Sequence, residues 1–229
     1  MKILELRLTT PDPGGQAAFY SGVLGLPVSV APSAAAEIVI GSTRLVFSPI
    51  SAGGANPVYH FAFNIPPCKL AGAKGWLSSR VPLLEKDGAD EFRFEDWNAD
   101  AIYFRDPAGN IAELIARHDL PDDTPGPFAP SDLLCVSEMG LVALDVPALV
   151  RALRGELGLP AWLEESDTFS TLGDEYGLLI VVQKGRPWFP TDTPASPQPA
   201  VVVLEGEREG RYAALGYEVM VRADTSVPT

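Results

Sequence analysis

Apolar and polar positions alternate along "ILELRL" near the start of the chain. Leu4, Leu6 and Leu8 fall on one face and Glu5, Arg7 and Thr9 on the other, the pattern of a half-buried strand. In "TPDPGGQAAFYSGVLGLPV" the spacing changes to that of a helix, with Ala17, Ala18, Tyr20 and Leu24 on one side and a Gly-Leu-Pro stop. "AAEIVIG" and "TRLVFSP" then predict two short strands about a Gly-Ser turn. The order is βαβββ, closing near Ile50.

The small-residue stretch "SAGGANP" predicts a linker, and the same order follows it. "VYHFAFNI" places Val58, His60, Ala62 and Asn64 on one face against Tyr59, Phe61, Phe63 and Ile65. A helix is predicted around Cys68–Ser79, then a strand at "EFRFEDW" and a hairpin at "YFRDPAGNIAELIAR". In that hairpin one carboxylate, Glu113, interrupts an apolar run and shares its face with Ile111 and Ile115. Residues 119–132 are rich in Pro and Asp and have no periodicity, which predicts a boundary between residues 1–118 and 133–229.

The chain repeats itself beyond that boundary. "ELRLTTPDPGGQAAFYSGVLGLP" from Glu5 and "EMGLVALDVPALVRALRGELGLP" from Glu138 align without a gap, with identities at Glu5/Glu138, Leu8/Leu141, Asp12/Asp145 and Gly22/Gly155 and through the closing Leu-Gly-Leu-Pro. "AWLEE", "TFSTLG" and "GLLIVVQ" continue a third module as strands. "AVVVLEG", a short helix near Glu207–Ala214 and "YEVMVRA" are expected to form a fourth module, lacking its last two strands. "RPWFP" at Arg186–Pro190 reads as packing between modules three and four.

One helix cannot cover both faces of a four-stranded sheet. Two modules side by side would form a curved sheet with helices outside and a concave pocket within. The expected fold class is therefore α+β, with repeated βαβββ modules pairing into curved mixed sheets. Modules one and two are expected to form the pocket.

Composition narrows the function classes. With 17 Lys and Arg against 30 Asp and Glu, the net charge is −13, which argues against nucleic acid or an anionic membrane as partner. Two cysteines make no disulfide framework, and Cys68 and Cys135 read as small hydrophobes. No stretch reads as a signal peptide or a bilayer span, so a cytoplasmic protein is expected. A small molecule is the expected partner, and a homodimer is compatible with the chain.

The repeated βαβββ order, "FYSGVLGLP" ending the first helix, a His opening the fifth strand and "YFRDPAGNIAEL" closing module two together resemble the vicinal oxygen chelate superfamily. That superfamily includes glyoxalase I, extradiol dioxygenases and the fosfomycin- and bleomycin-resistance proteins. The resemblance covers residues 1–117 well and 134–183 in outline. It implies metal ligands on the first strand of each module and on the last strand of one or both. Carried onto this chain, those positions are Glu5, His60 and Glu113. Glu5 stands where the family usually has His, and module one offers no carboxylate in "TRLVFSP". Two carboxylates and one imidazole suit Mn, Fe, Zn or Ni as a divalent ion.

The resemblance thus implies a glyoxalase-like or dioxygenase-like metalloenzyme, with Glu5 also a proton shuttle and catalytic residue. The substrate would bind the metal through vicinal oxygens, with Arg7, Trp97 and Tyr103 as substrate contacts. The alternative is a metal-free binding or sequestering protein of the bleomycin-resistance type, in which Arg7 pairs with the acids or a protonated His60 bridges them. An acidic pocket of that kind would suit a cationic ligand. Glu138 finds no His or Glu in "VVQK" and no His in "VVVLEG" to complete a second set and reads as a relic or a salt-bridged strand acid. His118 is expected at the surface.

Overall fold

The computed structural model describes residues 1–50, 56–121 and 124–223, with all their side chains except that of Glu164. Most of the expected linker at 51–57, and part of that at 119–132, lies outside the described residues. Module one comprises β1 (Lys2–Thr10), α1 (Pro13–Ala18) with a π-helical turn through Val23, β2 (Val28–Val30), β3 (Ala36–Ile40) and β4 (Thr43–Pro49). Module two comprises β5 (His60–Ile65), α2 (Leu70–Ser78), β6 (Phe92–Phe94), β7 (Ala99–Arg105) and β8 (Ile111–Arg117). Module three comprises β9 (Cys135–Ala143), α3 (Val146–Leu157), β10 (Ala161–Glu165), β11 (Phe169–Asp174) and β12 (Gly177–Gln183). Asp12 and Asp145, one repeat apart, cap α1 and α3 by accepting from the Gly15 and Ala148 amides at 2.8 Å, which satisfies one free donor at each helix start.

The end of the chain differs from expectation. Residues 207–214 are not helical: Gly210–Ala214 forms β14, between β13 (Ala200–Gly206) and β15 (Tyr217–Ala223). β14 pairs with β15, and β15 runs parallel to β13. This last module therefore has the first, third and fourth strands of the pattern and omits the helix and the second strand. The physical reason is local. "EREGRYAALGYEVMVRA" alternates, with Tyr212, Tyr217, Val219 and Val221 buried, and Gly216 at φ +85° closes a hairpin. A helix would not gather those side chains on one face.

The pairing of modules also differs. Strand order is β14-β15-β13-β1-β4-β3-β2 in one sheet and β10-β11-β12-β9-β5-β8-β7-β6 in the other. Module one joins module four, and module two joins module three; modules one and two do not share a sheet. Repetition marks equivalent modules but carries no information about which edges meet, because each first strand offers an equally apolar edge. One hydrophobic cluster, including Leu6, Phe47, Phe63, Met139, Leu153 and Val219, links both sheets and the helices. No helix among the described residues is long and apolar enough to cross a membrane.

Two β-bulges lie at repeat-equivalent positions. In β1, Ile3 pairs with Leu204 but Glu5 with Val203, so Leu4 is the extra residue. In β9, Val136 pairs with Phe63 but Glu138 with Ala62, so Ser137 is the extra residue. Each bulge changes strand parity: Val136 and Met139 both enter the core, and Glu138 turns to the opposite face. One buried hydroxyl connects the two irregularities. Thr43 Oγ1 donates to the Ile3 carbonyl at 2.7 Å and accepts from the Val136 amide at 3.0 Å.

The adjoining turn holds this seam. Gly41 has φ +49°, and a Cβ there would lie 1.8 Å from the Leu134 carbonyl oxygen. Gly41→Ala combines left-handed strain with a backbone clash, so we expect a loss on the order of 2–4 kcal/mol in urea denaturation. An unchanged midpoint would show that the β3–β4 turn does not hold β9 in place.

Candidate metal centre

The hairpin between β7 and β8 sets the register of the site. Asp106 Oδ1 accepts from the Ala108 and Asn110 amides at 2.9 and 3.1 Å, and its Oδ2 accepts from the Asn110 side chain at 2.8 Å and from Gln16 at 3.1 Å. Gly109 takes φ +83°. The "DPAGN" turn is thus closed on itself and tied to α1. Pairing from it puts Tyr103 opposite Glu113. Glu113 in turn lies opposite Ala62, and Ala62 opposite Glu138. These residues form one row across β7, β8, β5 and β9, with His60 two positions from Ala62 on the same face.

His60, Glu113 and Glu138 are 7%, 2% and 2% exposed, and one ligand atom from each lies within 4.8 Å of the others. His60 Nε2 is 3.6 Å from Glu113 Oε2 and 3.9 Å from Glu138 Oε2. His60 Nδ1 lies 3.1 Å from the Ile111 carbonyl. Assigning its proton there leaves the Nε2 lone pair facing both carboxylates. Burial pulls the imidazole pKa down to about 4, although the Ile111 hydrogen bond opposes this, so the ring is neutral at neutral pH. Burial, reinforced by the charge of Glu138, pushes the Glu113 carboxyl well above the usual carboxylate range.

Neighbours fix the two acids differently. Arg117, whose side chain is fully buried, donates to Glu138 and to Asn64 Oδ1 at 3.2 Å. Its guanidinium carbon lies 5.5 and 5.6 Å from the Trp97 and Trp162 ring centroids. Glu113 instead has the Tyr103 phenol, its partner in register, as neighbour. Three acceptors therefore converge with one arginine among them. A buried set of that composition is satisfied by an added cation or proton, and its donors fit a divalent ion. The position equivalent to Glu113 in module three is Ile180, opposite Gly140, so among the described residues the cluster has three ligands and no fourth.

A cavity of about 500 Å³ opens over this cluster. Ala62, Ala99 and Ala101 pack with Tyr103 and Trp188, two of its lining residues. Trp97, after β6, and Trp162, on β10, belong to opposite edges of the eight-stranded sheet, yet their ring centroids are 4.8 Å apart. The sheet therefore curls until its edges meet around the cavity. "RPWFP" does more than join modules: Trp188 lies 5.2 Å from the His60 ring and Phe189 packs on Tyr103 at 5.6 Å. Gly140 makes room for that Trp, since a Cβ there would stand 2.5 Å from the indole.

Of the residues singled out in the sequence, His60 and Glu113 come together, and Trp97 and Tyr103 line the same cavity. Glu5 and Arg7 do not join them. They lie in the seven-stranded sheet, where Glu5 accepts from both Arg7 and Arg44. Although burial opposes it, those hydrogen bonds hold the Glu5 carboxyl below its ordinary value. The residue that sequence reasoning passed over is Glu138. The signal was present, since Glu138 aligns with Glu5, but it was tested against modules three and four and not against module two. His118 is exposed, as expected, and binds Asp100 at 2.6 Å, away from the cluster.

Neither a family model nor the sequence of any curated protein matches the chain. Solved structures do. A candidate dioxygenase from Bacillus subtilis superposes with TM-score 0.62 over 98% of this chain and 86% of that one, at 16% identity. Glyoxalase I from Zea mays gives 0.55 over 96% and 91%, at 14% identity, and a variant of it gives 0.59 over 97% and 93%, at 13%. The chain shares the fold of these proteins. The curved mixed sheets expected from the repeats are those of the glyoxalase/dioxygenase fold.

The buried acid carries a pH signature. In metal-free protein Glu113 stays protonated above pH 4.5, where an unfolded Glu ionises. The folded state then binds more protons than the unfolded state, and stability falls as pH rises through that window. Metal-free Glu113→Gln lacks this term. Its stability relative to wild type should increase as pH rises above 4.5, by at most roughly 1.4 kcal/mol per unit, in chemical denaturation. A constant difference would mean that Glu113 is ionised in the fold.

Proposed function

We propose that this chain is a divalent-metal-dependent enzyme of the glyoxalase/dioxygenase type, and that His60, Glu113 and Glu138 hold the ion. The observation that carries the reading is the buried convergence of a neutral imidazole lone pair on two carboxylates. Of the ions Mn, Fe, Zn and Ni, the donor set selects none. When bound, such an ion supplies Lewis acidity toward two vicinal substrate oxygens.

The chain's own residues do the remainder. Ile180 in place of a fourth ligand leaves room for substrate beside the three donors. Trp188, Phe189 and the paired Trp97 and Trp162 limit water access to the floor. Burial raises the Glu138 carboxyl and the Arg117 guanidinium opposes that rise, whereas Glu113 has a phenol as neighbour. Glu113 is therefore the carboxylate suited to accept and return a substrate proton, the role that sequence reasoning gave to Glu5. Arg7 has no part in the site. The reaction type lies between isomerisation or lysis and oxygenative ring cleavage.

Titration calorimetry of chelator-treated protein with Mn²⁺ tests the ligand set. Wild type should bind one ion per chain. Glu138→Ala and Glu113→Ala should each weaken binding by at least about 100-fold, and Glu5→Ala should leave it unchanged. Equal binding by wild type and Glu138→Ala would remove the reading, and absence of binding in wild type would favour the metal-free ligand-binding alternative.

A further inference from the structure

The mouth of the cavity has the opposite charge to its floor. Lys86 and Arg186 line it, both exposed, and among the described residues neither forms an ion pair. This is unusual beside acids: Lys86 is flanked by Glu85 and Asp87, and the nearby Asp90 and Glu91 are taken by Lys74. Each cation rests on an aromatic wall residue. Lys86 Nζ is 5.0 Å from the Phe189 ring centroid, and the Arg186 guanidinium carbon is 4.8 Å from that of Phe169. Cation–π contacts of this kind hold a charged head in place without neutralising it.

Charge and shape together select a ligand. If a divalent ion offsets the carboxylates of Glu113 and Glu138, the formal charge remaining on the lining is that of Lys86 and Arg186. The cavity is then cationic in a chain of net charge −13. Its walls between floor and mouth are rings: Phe94, Trp97, Tyr103, Trp188 and Phe189, which favour a flat apolar body. Resting on the metal-centre reading above, we propose that the substrate is an anion with an aromatic or similarly flat body. Its vicinal oxygens lie at the floor and its carboxylate or other acidic group lies at the mouth with Lys86 and Arg186. The same charge pattern disfavours the cationic ligand that an acidic pocket suggests from sequence.

Two probes that differ only in the remote acid test this. For Mn²⁺-loaded protein, tryptophan fluorescence should show 3-(3,4-dihydroxyphenyl)propanoate binding at least about 10-fold tighter than 4-propylcatechol, with the gap narrowing as salt rises. In the Lys86→Met/Arg186→Met double variant the two probes should bind alike, while Mn²⁺ affinity, read separately, stays at the wild-type value and shows the fold to be intact. Equal binding of the probes to wild type, or a preference that survives in the double variant, would overturn the proposal. If wild type takes up no Mn²⁺, the metal reading fails by itself. In that event metal-free protein is titrated with 3-phenylpropanoate and 3-phenylpropanamide: preference for the acid, lost in the double variant, upholds the anion site, and no preference overturns it.

Discussion

One residue too many in β9 determines where the chemistry can be. Strict alternation would place Val136 and Glu138 on the same face, and one of them would be wrong for its surroundings. The bulge at Ser137 sends Val136 into the core and Glu138 into the cavity, where Ala62 leaves room beside it. A carboxylate buried there needs partners on arrival. Arg117 supplies one, four residues beyond Glu113 on the same strand face, and its guanidinium is itself enclosed by the tryptophans that close the barrel. Aim, charge balance and enclosure are therefore coupled, and the cavity depends on all three.

The second sheet shows what happens when the same frame lacks the rest of the set. Glu5 follows an equivalent bulge and is the repeat partner of Glu138. Across from it, the register puts Val201 at the position of His60 and Met220 at the position of Glu113. With aliphatic or thioether side chains at those two positions, Glu5 is in no metal-ligating group among the described residues, and two arginines satisfy it instead. Arg7 occupies the position of Gly140 and Arg44 that of Leu178. Where the eight-stranded sheet keeps space and lone pairs, the seven-stranded one keeps an ion network. The cap over the cavity depends on the same difference, since Trp188 can reach His60 only above a glycine.

Most of the fold was legible from periodicity. The strand alternation, the helix stops and the gapless repeat named the modules and their curved sheets, and "DPAGN" marked the hairpin that sets the register of Glu113. His60 and Glu113 were legible as candidates because the resemblance pointed to their positions and alternation agreed in placing both on a pocket face. What periodicity did not contain was edge choice. Modules one and two adjoin in sequence, yet β5 pairs with β9, a non-local contact that no short-range pattern encodes. Glu5 was assigned to the site, and Glu138 left out, for that reason alone. The end of the chain failed differently: a short helix was expected near Glu207–Ala214, whereas Tyr217, Val219 and Val221 are buried with a period of two.

The central claim is that the site spans modules two and three, so that Glu138 and not Glu5 completes it. Anomalous diffraction at the manganese edge, from crystals of the intact chain equilibrated with Mn²⁺, tests it most directly. The account predicts a single strong peak within bonding distance of His60 Nε2 and carboxylate oxygens of Glu113 and Glu138. A peak at Glu5, or one at His60 and Glu113 with Glu138 still turned to Arg117 and out of reach, would contradict it.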